Sequence, residues 1–223
     1  MDYLYETHMH TSEVSACSGS TAAEQVYAYK QIGYTGIIVT DHFINGNSTC
    51  PKEATWEKRM KHFVKGYENA KKAGDTYGVD VFFGWEYTIH GSDFLTYGLD
   101  LDFLLSHPNF DILCIEEYSA LVRDCGGFLA QAHPYRDAWY IKNSCPVDSH
   151  LIDAVEVYNS MDSDVSNKKA QAFAACHNLP IQAGSDSHHT RHARYSGIKL
   201  QERAKSIFDI IDAITDKKIE LIT

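Results

Sequence analysis

Short apolar runs, several of them rich in β-branched residues, alternate along this chain with longer polar or amphipathic stretches. The runs predict strands over 4–10, 37–40, 79–89, 94–97, 128–132, 154–158, 181–183, 197–200 and 219–222. Helices are expected over 21–30, 55–73, 99–105, 111–125, 164–177 and 203–214. Thr21 with Glu24 has the form of a capping box, Gly74 closes the second helix, and Gly126-Gly127 stops the fourth. His90-Gly91-Ser92 reads as a turn leading into a returning strand. Pro134 predicts an extended backbone at His133 and the end of that strand. Strands alternating with helices imply a mainly parallel sheet, and six or seven such units suggest a barrel closed on itself. The expectation is one α/β domain over residues 1–223.

Composition narrows the classes. The 223 residues are 44% hydrophobic and 22% charged, ordinary for a globular chain. No apolar run approaches the ~18 residues of a membrane span, and no basic-then-apolar leader is visible, so a cytoplasmic location is expected. The formal charge of −10 argues against broad nucleic-acid binding. Six cysteines (17, 50, 114, 125, 145 and 176) contain no C-x-x-C pair, which fits reduced thiols.

The twelve histidines matter through their placement. His8 and His10 end the first strand at i, i+2, so both rings face one way. His42 follows the second strand, Glu86 lies in the third, His133 follows the fifth, and Asp186 and His188 repeat the i, i+2 spacing after the seventh. Seven such side chains at one barrel mouth are too many for a catalytic triad. They suit two or three divalent cations, and mixed nitrogen and oxygen donors favour zinc, manganese or iron. Asp41 is expected to support the site from behind, and Trp85 to face away from Glu86. His90 reads as a solvated turn residue, His62, His107, His150 and His177 as surface groups, and His189 and His192 as loop residues. Arg136 is a candidate for clasping a phosphate bidentately, with Arg191 and Arg194 weaker candidates. Ser185 and Ser187 lack a base partner and are given no nucleophilic role.

The motifs H-M-H-T, T-D-H, G-W-E, A-H-P and G-S-D-S-H, in this order over residues 4–200, resemble the PHP (polymerase and histidinol phosphatase) family. The resemblance implies a distorted (βα)7 TIM-like barrel with a trinuclear metal site at the C-terminal ends of the strands, and phosphoester hydrolysis. Carried over by position, His8, His10, Glu86 and Asp186 would hold one metal, His42 and His188 belong to a second, and Glu86 and His133 to a third. Two positions depart from the pattern. Cys17 falls nearest a ligand commonly His or Asp, with Glu13 its rival. Asp93 stands where a histidine is usual, with His90 its rival.

The resulting expectation is a metal-dependent phosphatase. A metal-activated water would attack a small phosphomonoester, such as a histidinol phosphate- or nucleotide-like compound, with Arg136 and His188 assisting. The alternatives are a phosphodiesterase or exonuclease acting on nucleic-acid ends, and a metal-binding barrel without turnover.

Overall fold

The computed structural model describes residues 2–139, 141, 144–193 and 195–223. Among these, nine strands form one sheet in the order β7-β6-β5-β4-β3-β2-β1-β8-β9. The strands are β1 (Tyr3–Met9), β2 (Gly36–Val39), β3 (Asp80–Ile89), β4 (Ser92–Tyr97), β5 (Phe128–Ala132), β6 (Ala154–Asn159), β7 (Ile181–Gly184), β8 (Gly197–Leu200) and β9 (Glu220–Ile222). The sheet curls until its far edge returns to β1. The first half of β1 pairs antiparallel with β8 through Tyr3–Tyr5. The second half meets the end of β7, where the His10 amide donates to the Ser187 carbonyl (2.9 Å) and the Thr7 hydroxyl to the Ala183 carbonyl (2.7 Å). β1 to β7 thus make a seven-stranded ring, and β8 and β9 splay from its lower half.

The ring is parallel except at β4, which runs antiparallel to both β3 and β5. β3 turns into β4 over His90 (φ 50°) and Gly91 (φ 88°), the left-handed pair a two-residue hairpin requires. Because β4 is reversed, its first residues, not its last, lie at the end where β3 finishes.

The outer layer holds α1 (Ala22–Gln31), α2 (Trp56–Phe63), α3 (Lys65–Tyr77), α4 (Leu101–Ser106), α5 (Ile115–Asp124), α6 (Asp164–Cys176) and α7 (Ile207–Thr215). The Thr21–Glu24 capping box is present at α1. The single helix expected over 55–73 is two helices, broken at Val64. The break carries Gly66 against the end of β2, where a Cβ would run into the Asp41 carboxylate and the Thr11 hydroxyl. The helix expected over 111–125 begins only at Ile115, after a 3-10 turn over Phe110–Ile112. The one expected from 203 begins at Ile207, because Ser206 caps it and Arg203 forks onto the Asp80 carboxylate instead (2.8 Å to each oxygen).

Two apolar layers sandwich the ring. Tyr5, Ile38, Leu95, Tyr97, Ala130 and Ala154 meet inside it, with Ile210 and Ile214 of α7 below. Outside, Trp85 packs under the helices, stacked on Phe103 and donating from Nε1 to the Tyr118 hydroxyl (2.7 Å). The upper interior is polar: Glu86, His133, Glu156 and Gln182 are all buried. Among the described residues no helix is long and apolar enough to cross a membrane.

Candidate metal centre

A one-residue irregularity in β1 creates the centre of the site. Glu6 pairs with Ile37, but Met9 pairs with Val39, so three steps along β1 match two along β2. Such a bulge reverses which face the following residues present. Tyr5 packs inside the ring, whereas Met9, four residues on, packs outside against Ala22 and Val26 of α1. His8 and His10 flank Met9 and therefore turn inward. Glu6 turns outward, accepting from the Tyr29 hydroxyl of α1 (2.9 Å) and from the His8 and Ser185 amides (2.8 and 2.9 Å).

Both imidazoles are held in a defined tautomer. His8 Nδ1 donates to Glu156 Oε1 at 2.9 Å. His10 Nδ1 donates to Ser15 Oγ at 3.0 Å, because the Ser15 hydroxyl gives its own proton to Asp41 Oδ1 (2.7 Å). Each Nε2 then presents a lone pair inward, and the two are 3.1 Å apart. Two lone pairs at that distance call for a cation between them. Asp186 Oδ1 lies 3.1 Å from His10 Nε2 and 3.4 Å from His8 Nε2, and Glu86 Oε1 lies 3.3 Å from His8 Nε2.

Glu86 joins two ends of the site. Its Oε2 is 2.6 Å from His42 Nδ1, and its Oε1 is 3.2 Å from His133 Nε2. Beyond His133, Asp93 Oδ2 lies at 3.9 Å, while the Thr88 hydroxyl occupies Asp93 Oδ1 (2.7 Å). Asp93 opens β4, so the reversal of that strand brings it to the site. Beyond His42, the Cys17 thiol faces the imidazoles of His42 and His188. His10, His42 and His188 bring nitrogens within 4.8 Å of one another, as do the donor atoms of His8, His10 and Glu86, of His8, His133 and Asp186, and of Glu86, Asp93 and His133.

Two donor residues have left-handed backbone. Asp186 has φ 54° and His133 φ 27°. The expectation that Pro134 would hold His133 extended is overturned. Glu156 Oε2 accepts the His133 amide (3.1 Å) and stabilises a turn that aims the ring inward.

The charges fit a cation pocket. Burial alone would raise the Glu86 and Asp186 carboxyls. For Glu86 the charges of His42 and His8 outweigh it, and for Asp186 those of His8, Arg136 and His188, so both are held well below the usual carboxylate range. Burial would lower His8 and His42. Asp186, Glu156 and Glu86 around His8, and Glu86 beside His42, push both well above the ordinary imidazole value. Without metal, protons take the place of cations. Glu86 Oε2, Asp186 Oδ1 and His42 Nδ1 are buried with only one another and neighbouring imidazoles as partners, so the donor set fits divalent cations.

Arg136 differs from expectation. Its Nε binds Asp162 Oδ1 and its Nη1 binds Asp186 Oδ2, both at 2.6 Å. A bidentate clasp on phosphate is therefore not open to it, and the guanidinium keeps Nη2, buried and without a hydrogen bond. It lines a cavity of about 310 Å³ with Met161, Asp162, Ser163, Asp186 and His188. Of the rival residues, Glu13 turns away to accept the Ala22 amide at the start of α1 (2.9 Å), and His90 is exposed at the hairpin tip. Arg191 is exposed, and Arg194 lies outside the described residues. Glu156, Ser15 and Asp162 were not singled out in the sequence. Glu156 had a readable signal, a carboxylate in the apolar run Ala154-Val155-Glu156-Val157. The other two had none.

The ring with its reversed fourth strand and its mouth of histidines and carboxylates defines a PHP-type barrel. Among solved structures, a two-domain protein from Bacteroides vulgatus containing a predicted PHP-like metal-dependent phosphoesterase matches 99% of this chain at TM-score 0.72 and 15% identity; the match spans 64% of that protein. A lesion-specific endonuclease from Pyrococcus furiosus matches at TM-score 0.64 and 15% identity, over 99% of this chain and 58% of its own. An amidohydrolase from Chromobacterium violaceum matches at TM-score 0.60 and 12% identity, over 97% of each chain. No family model and no curated protein matches the sequence.

Proposed function

We propose that this chain is a metal-dependent phosphoesterase that hydrolyses a small phosphomonoester, working as one domain over residues 1–223. The observation that carries this is the set of buried donor atoms on Glu86, Asp186 and His42, which find only one another and neighbouring imidazoles, with Arg136 bound to Asp186 and keeping Nη2 unbonded. His8, His10, Glu86 and Asp186 would hold one ion, Cys17, His42 and His188 a second, and Glu86, Asp93 and His133 a third. When bound, the cations supply Lewis acidity, which activates a water near neutral pH and offsets charge on phosphoryl oxygens.

The chain's own groups do the rest. Glu156 and Ser15 keep the Nε2 lone pairs of His8 and His10 pointed inward. Asp162 and Asp186 hold the Arg136 guanidinium so that Nη2 can bind a phosphoryl oxygen. His188 donates from Nδ1 to the Asp186 carbonyl (2.9 Å), which leaves the Nε2 lone pair at the mouth as its donor to the second ion. The small polar cavity and the formal charge of −10 favour a compact ester over a nucleic-acid chain. Six free thiols support a reducing compartment such as the cytoplasm.

The test is phosphate release by protein stripped with chelator and reloaded with zinc, manganese or iron. Nucleotide monophosphates and aryl phosphates are compared with aryl diesters and single-stranded DNA. Release from monoesters alone is expected. Preferential cleavage of diesters or DNA would favour the nuclease reading, and no hydrolysis with metals loaded would reject both.

A further inference from the structure

The donor atoms around the mouth are not chemically uniform. At one end stand two imidazoles and a thiol, from His42, His188 and Cys17, with His10 stacked on His188 (ring centroids 4.2 Å apart) and 4.3 Å from His42. At the other stand two carboxylates and one imidazole, from Glu86, Asp93 and His133. Glu86 gives one oxygen to each end.

Cys17 is held in place. The Ala16 amide donates to the Asn47 carbonyl (2.9 Å), on the loop that follows His42. On its other side the Gly19 amide and the Ser18 hydroxyl donate to the His188 carbonyl (2.8 and 3.0 Å). The backbone flanking Cys17 is thus tied to the two loops that carry the imidazoles its thiol faces. Beside it, His42 Nδ1 is buried and turned to Glu86 Oε2 at 2.6 Å. Asp93 is prepared in a similar way, since the Thr88 hydroxyl donates to Oδ1 and leaves Oδ2 toward His133.

We propose that the two ends select different metals. The Cys17–His42–His188 end takes a thiolate-binding ion of the zinc class, and the Glu86–Asp93–His133 end takes a harder ion of the manganese or magnesium class. Soft sulfur with imidazole favours zinc and its relatives, whereas carboxylate-rich sets suit manganese and magnesium. On binding, Cys17 forms a sulfur–metal bond and its thiol proton leaves to solvent. This assignment rests on the reading of the cluster as a metal centre.

The test uses the full chain, stripped of metal and titrated with Co²⁺ as a coloured stand-in for zinc. A thiolate-to-cobalt charge-transfer band in the near ultraviolet is expected, and it is lost in Cys17→Ser while the imidazole-bound cobalt bands of the other positions remain. In chelator competition, Cys17→Ser lowers zinc affinity by at least about tenfold and leaves manganese affinity unchanged. Asp93→Ala does the reverse, weakening manganese and keeping the charge-transfer band. Circular dichroism verifies that both variants fold. Cobalt bound without that band, or a band that survives Cys17→Ser, would overturn the assignment while the metal centre stands. A chain that takes up no metal would overturn the metal centre itself.

Discussion

His8 and Glu156 are 148 residues apart in the chain, yet Nδ1 of the first donates to Oε1 of the second at 2.9 Å, with both side chains fully buried. That bond fixes which nitrogen of His8 faces the centre. Outer partners of this kind typically contribute a 10–100-fold factor to metal affinity. Glu156→Ala should therefore lower metal affinity by about 10–100-fold, measured by competition with a chromophoric chelator. Glu156→Gln, whose amide oxygen can still accept from His8, should lose less.

His10 and Asp186 lie at the heart of the donor cluster. His10→Ala and Asp186→Ala should each lower phosphate release on the order of 10²–10³-fold or more, with circular dichroism unchanged. Full activity in either variant would exclude the proposed chemistry.

Arg136 keeps a planar guanidinium between two carboxylates while presenting Nη2. A lysine ammonium cannot meet all three demands. Arg136→Lys should raise KM for a phosphomonoester about tenfold, equivalent to about 1.4 kcal/mol of binding. Steady-state kinetics on the reloaded protein reads this directly.

Gly184 ends β7 where it closes the ring against β1. A Cβ there would come within 2.6 Å of both Glu156 Oε1 and His8 Cβ. Gly184→Ala should destabilise the fold by about 1–3 kcal/mol, as overpacking of a rigid core does. Urea denaturation would report it as a lower midpoint with an unchanged slope.

Glu6 is buried behind the site. Burial pushes its carboxyl up from 4.5 to about 7, against the opposing pull of the Ser185 and His8 amides. The folded state thus prefers the neutral acid. Stability from this group is fully present below pH 4.5, falls as pH rises through that value, and is gone above about 7. The full effect is about 3 kcal/mol. Glu6→Gln keeps an oxygen for the two amides and should flatten the loss of stability between pH 4.5 and 7, followed in metal-free protein by urea titration at several pH values.

The barrel and most of the donor set were legible because each depends on local order. A run such as Ile37–Val39 makes a strand wherever it packs, and parallel strands of a ring deliver the residues after them to one end. His42, His133, Asp186 and His188 follow their strands, so their meeting is a consequence of topology. Asp93 was reached only through the family resemblance, and the reversal of β4 after Gly91 is what brings it to that same end.

What only the tertiary structure decided involves partners far apart in sequence and backbone that departs from regular strand. Simple alternation would place Tyr5 and Met9 on one face, and the bulge that separates them depends on how β1 pairs with β2. The left-handed turn at His133 is held by Glu156, and the tautomer of His10 by Ser15 and Asp41. Arg136 is committed to Asp162 and Asp186, which no motif links to it. Residue type and strand order depend on neighbours along the chain and can be read from it. Ring orientation, protonation and the remaining free valence of each donor depend on contacts made across the closed barrel, and those exist only once the chain has folded.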